Sequence, residues 1–149
     1  MTFLFGALAA LLLCMASAAA EAPAVTAAWI RATPPGARTA AAYLTIVSPH
    51  GDRLLGAATS AAGAVEIHTN AVEAGLQRMV RLADLAVPAG ETVRLEPGGM
   101  HLMLLDVAMP LEAGTQVTLE LRFAGAGAVE VEVPVVDARA GVPAPHAAH

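Results

Sequence analysis

From Val25 onward the chain alternates short apolar runs with polar positions, and Gly, Pro, Asn or Asp interrupts it every few residues. A period of two over so short a run marks a β-strand with one buried face. The pattern predicts strands around Trp29, over Tyr43–Val47 and through Arg53–Ser60, then over Val65–Thr69, Leu76–Leu82, Thr92–Glu96, His101–Asp106, Gln116–Phe123 and Val129–Val135. Turns are expected at Pro34-Pro35-Gly36 and at Pro49–Asp52. No window keeps a helical period over three turns, although "LEAG" at 111–114 suits a single helical turn. Short strands at this spacing predict an all-β antiparallel sandwich or barrel.

Composition narrows the picture. With 149 residues, one domain of ordinary size is expected. Apolar residues make up 56% of the chain but aromatics only 3%, so the core must be built from Val, Leu, Ile and Ala. The formal charge is -5 and the eight basic residues, all arginine, are scattered. Nothing resembles a phosphate-tracking surface, which argues against a nucleic-acid partner.

The first twenty residues, "MTFLFGALAALLLCMASAAA", read as a secretory signal peptide ending at an A-x-A site, although the basic n-region is missing. The apolar run is shorter than a membrane-spanning helix needs, so no stable membrane anchor is expected. Leu13 stands where a lipid-attachment signal would place a small residue before Cys14. The expected layout is therefore a signal at 1–20, a β domain at 21–136 and an Ala/Pro/Gly-rich tail at 137–149, with export to the periplasm. Cys14 is the only cysteine and lies in the segment expected to be removed. A mature chain without a thiol has no disulfide, no zinc-thiolate site and no blue-copper centre. Ser48 and Ser60 sit in no nucleophile-elbow pattern and no carboxylate pair stands out, so no enzyme is expected.

One chemical pattern remains. In "AVEIHT", Glu66 and His68 share a strand face opposite Val65 and Ile67, and in "LQRMVRL" Met79 goes with Gln77 and Arg81. If the connection "NAVEAG" turns between Glu73 and Ala74, His68 falls directly opposite Met79. In "HLMLLD", His101 and Met103 share one face while Leu102 and Leu104 take the other. Thioether sulfur is soft and neutral and imidazole is borderline, so two of each favour copper, Cu(I) above all. The same residues could instead simply pack a sheet face, making the domain a metal-independent interaction module. Met100 has the opposite parity from His101 and is expected to pack, and His50 is expected in a turn.

The spacing His68-x10-Met79-x21-His101-x-Met103 resembles the H-x10-M-x21-H-x-M motif of the PCu(A)C family of periplasmic copper chaperones. "AWIRATPPGARTAAAYLTI", "RLLGAATSAAGAVEIHT" and "LEPGGMHLMLL" resemble the same family, and the likeness runs from about Val25 to Val135. It implies a cupredoxin-like antiparallel Greek-key sandwich or barrel with one Cu(I) on His68, Met79, His101 and Met103. It also implies delivery of that copper to the CuA centre of cytochrome c oxidase, beside Sco-type thiol proteins, with periplasmic copper storage or resistance as the alternative. The chain lacks the methionine that many relatives carry just after the first histidine, where Thr69 and Asn70 stand. Some relatives carry a metal-binding tail, and His146 and His149 would form a thin version of it, suited to Cu(II).

Overall fold

Alternation over Thr39–Val47 and His101–Val107 drives leucine, isoleucine and valine inward, and antiparallel pairing then curls these strands around a single core. A computed structural model describes residues 21–137 and Arg139; the segment expected to act as a signal, with Cys14, and the tail histidines His146 and His149 lie outside the described residues. Ten strands follow in chain order: β1 (Ala24–Arg31), β2 (Thr39–Val47), β3 (Asp52–Ala58), β4 (Ala62–Glu73), β5 (Leu76–Leu82), β6 (Leu85–Val87), β7 (Thr92–Leu95), β8 (His101–Val107), β9 (Gln116–Phe123) and β10 (Gly127–Val136).

Seven of them form a closed barrel in the order β4-β8-β2-β1-β10-β9-β3, and the pair Ala57↔Val65 joins β3 back to β4. Only β1 against β10 is parallel among these pairings. The connections β2 to β3 and β8 to β9 link strands that are not neighbours, so the chain crosses the barrel ends as the Greek-key expectation requires. Closure removes the exposed edges of the barrel strands. The remaining three strands are appendages: β5 extends β4, β6 extends β3, and β7 pairs with the far half of β2.

The interior holds Ile30, Leu44, Ile46, Leu54, Ile67, Leu102, Leu104, Leu119, Leu121 and Val133, all at most 2% exposed. Phe123 is the one aromatic ring in this cluster among the described residues. Trp29 and Tyr43 are equally buried but stand apart from it, on the outer face of β1 and β2. The expected strands are present with two extensions: β4 runs on to Glu73 through the segment read as a connection, and β6 is an additional short strand. Residues 111–114 form a turn rather than a helical turn. Gly114 sits at φ 90° and its N–H donates to Val135 O, which commits the backbone to β10 instead of to a local helix.

Asp52 ties the start of β3 to the β9–β10 turn. Its carboxylate accepts from the N–H groups of Arg53 (2.7 Å), Gly125 (2.8 Å) and Ala126 (2.9 Å). Burial alone would raise its pKa, but the three N–H donors, which favour the charged form, together outweigh it and hold the carboxyl below its ordinary value.

A depressed folded-state pKa contributes stability above the unfolded value and loses it as pH falls through the folded one. Asp52→Asn should therefore cost about 1 kcal/mol at neutral pH and flatten the acid limb of thermal unfolding below about pH 4, as followed by circular dichroism. Leu104→Ala, which empties a fully buried position between Ala40 and Val65, should cost about 2–5 kcal/mol in urea unfolding.

Candidate metal centre

The outer face of β4 and β8 gathers the polar residues that the core excludes. The pairing of the two strands sets His68 directly opposite His101 and Glu66 directly opposite Met103, while Ile67 and Leu102 meet on the core side. The imidazole centroids are 5.8 Å apart with the rings inclined at 58°. His101 is 6% exposed, His68 is half-buried, and Met103 is half-buried beside Ala41 of β2.

The β4–β5 hairpin differs from the sequence expectation in register. Its turn is centred on Ala74-Gly75, at φ 51° and 77°, so Glu73 pairs with Leu76 and His68 falls opposite Arg81, not Met79. Met79 pairs with Asn70 instead. A two-residue turn of this kind needs left-handed backbone at both central positions, and moving the centre by one residue lets Gly75 supply one of them at no steric cost. Because the shift changes the pairing by two residues, parity survives. Met79 stays on the face of His68, as a diagonal neighbour about 7–8 Å away along the backbone rather than a directly opposed one. It is 56% exposed.

Each ring is held by a different device. The turn between β7 and β8 closes through Glu96 N–H to Met100 O (2.9 Å) and Gly99 N–H to Glu96 O (3.0 Å), which brings Gly99 O to 3.2 Å from His101 Nδ1. A carbonyl can only accept, so Nδ1 carries the proton and Nε2 keeps the lone pair. His68 Nε2 lies 2.8 Å from Glu66 Oε2, and Arg81 Nε lies 3.6 Å from the other carboxylate oxygen. His68 Nδ1 is buried and has no hydrogen-bond partner. A buried polar atom left so costs roughly 1–3 kcal/mol unless something pairs with it. The hydrogen bond with His68 holds the Glu66 carboxyl below its ordinary value against the effect of burial, and the charge of Arg81 adds to this.

Aromatic packing supports the His101 side. Tyr43 lies 6.4 Å from the His101 ring, Trp29 is inclined against Tyr43 at 4.6 Å, and the Arg31 guanidinium stands 5.9 Å above the Tyr43 ring. Met100 packs against the core, as its parity requires, and His50 is exposed in a turn. Glu66 and Arg81 shared the relevant faces in the sequence, but only folding makes them partners of His68. Trp29 and Tyr43 carried no sequence signal beyond their rarity.

Among the described residues no group of three His, Cys, Asp or Glu side chains converges as a metal site. The closed, cupredoxin-like barrel is that of the PCuAC class of domain. Residues 23–135 match the family described as "Putative lipoprotein LpqE-like", and the chain belongs to that family. It is 33% identical over 114 residues to "Putative lipoprotein Lxx21020" of Leifsonia xyli subsp. xyli, a match spanning 76% of this chain and 69% of the relative. Among solved structures it resembles the copper-bound PCuAC domain from PmoF2, with a TM-score of 0.67 and 26% identity over 80% of this chain and 96% of that one. It also resembles Cu(I)-bound DR1885 from Deinococcus radiodurans, with a TM-score of 0.61 and 30% identity over 82% of this chain and 83% of that one.

Met79→Leu should leave the apo fold intact, with a change in stability within about 0.5 kcal/mol, because the side chain is solvent-exposed on a projecting hairpin. A thermal melt without metal checks this.

Proposed function

We propose that this protein is an exported copper chaperone that binds one Cu(I) through His68, Met79, His101 and Met103 and hands it to a partner by ligand exchange. The observation that carries the reading is the direct opposition of His68 and His101, with Met103 on the same face and Met79 diagonal to His68 on a solvent-exposed strand. Neutral nitrogen and sulfur donors suit Cu(I), and three of the four, His68, His101 and Met103, sit on barrel strands. Met79 lies on the hairpin outside the barrel, where its long, unbranched side chain can reach toward the imidazoles. An ion bound there would lie near solvent and within reach of an acceptor. Similarity to a copper-bound PCuAC domain and to Cu(I)-bound DR1885 supports copper as the cargo. The acceptor implied by the family resemblance is the CuA-bearing subunit of cytochrome c oxidase, with a Sco-type thiol protein acting alongside.

Export accords with the lipoprotein descriptions of the family and of the Leifsonia relative. Those descriptions point to the cell envelope and bear on Cys14, whose sequence context lacks the usual small preceding residue. Mass spectrometry of the mature protein separates cleavage near Ala20 from lipid attachment at Cys14.

Titration with Cu(I) against a competing chelator should give one equivalent bound. Met79→Leu should lower the affinity at least about tenfold and the His101→Ala, Met103→Leu pair should abolish tight binding. Copper K-edge absorption should show both nitrogen and sulfur neighbours. Absence of binding, or affinity unchanged in the double variant, rejects the reading in favour of a metal-independent interaction module.

A further inference from the structure

The two histidines of the site differ in which ring nitrogen is left free. His101 donates from Nδ1 to Gly99 O, so its available lone pair is on Nε2. His68 is arranged the other way round. Its Nε2 faces a carboxylate oxygen at 2.8 Å, and an ionised carboxylate can only accept. The proton on that side belongs to Nε2, which leaves Nδ1 as the lone-pair nitrogen. Nδ1 is also the one buried side-chain nitrogen or oxygen among the described residues that no hydrogen bond satisfies. Glu66 is in turn braced by Arg81, the residue that the hairpin register places opposite His68.

We infer that His68 presents Nδ1 and His101 presents Nε2 to the copper ion, and that Glu66, braced by Arg81, is the positioning residue that selects the His68 tautomer. This rests on the copper reading of the same face. A ring locked by a hydrogen bond on its far nitrogen enters coordination already oriented, and the carboxylate that accepts that bond raises the basicity of the ligating nitrogen. Glu66 faces Met103 across β4 and β8, yet its paired contacts with His68 and Arg81 occupy it as a hydrogen-bond acceptor. The mixed donor set follows from strand geometry. His101 has a backbone carbonyl from its own preceding turn beside Nδ1, whereas His68, in mid-strand, has only its same-face neighbour two residues earlier.

Two-bond proton–nitrogen correlation spectra of protein labelled with nitrogen-15 at histidine test this, first without metal and then with Cu(I) alone. The expected apo spectrum shows His68 protonated at Nε2 and His101 at Nδ1, and Cu(I) should shift His68 Nδ1 and His101 Nε2. In Glu66→Ala the His68 tautomers should mix and Cu(I) affinity should fall about tenfold. Glu66→Gln, whose amide oxygen still accepts from Nε2, should recover the Nε2–H tautomer and most of the affinity. A purely packing role for Glu66 would lower stability without altering the tautomer, and that result overturns the inference. So does a Cu(I)-induced shift at His68 Nε2, which would leave the copper reading standing. If Cu(I) shifts neither histidine, the copper reading itself fails.

Discussion

The antiparallel register of β4 against β8 is the constraint on which the rest depends. It opposes Ile67 to Leu102 and Val65 to Leu104 on the inner face, and the same pairing opposes His68 to His101 and Glu66 to Met103 on the outer one. Core and site are two sides of one ladder. A slip by one residue would expose the leucines and bury the imidazoles, so the hydrophobic energy that stabilises the barrel also enforces the geometry of the polar face. The position of the histidines needs no additional device. Holding their rings in a given orientation does, and Gly99 O and Glu66 supply it.

The site joins a rigid part to an exposed part. His101 and Met103 lie in a strand bonded on both sides, to β2 and β4, and the Trp29–Tyr43 pair packs beside His101. His68 marks the point where β4 passes from pairing with β8 to pairing with β5 as well. Beyond it the hairpin leaves the barrel, and Val72, Leu76 and Met79 are all more than half exposed. For the proposed copper carrier such a division is physically sensible: well-packed residues would define the binding geometry, and a solvent-facing thioether would be free to exchange. Dedicated storage would favour enclosure on all sides instead.

Much of this was legible along the chain because strand alternation is local. Parity alone put Glu66 with His68, His101 with Met103, and Leu102 and Leu104 in the core, and the structure has each of these. The β4–β5 turn lies one residue later than the local sequence suggests because "NAVEAG" offers several centres of similar local quality, and the choice falls to the backbone freedom of Gly75 together with the pairing of both strands. The helical turn expected at 111–114 is missing for a related reason: Gly114 donates to a strand that the local sequence does not contain.

By itself, then, the sequence determined an all-β chain with a thiol-free described domain and a set of histidines and methionines assigned to particular strand faces, since these follow from residue chemistry and a period of two. Tertiary structure decided which strands became neighbours. That choice set His68 against His101, moved Met79 to a diagonal, brought Arg81 to Glu66 and left one nitrogen of His68 buried without a partner. Such relations join residues 11 to 33 positions apart in the chain, and only closure of the barrel and the register of its hairpin bring them together.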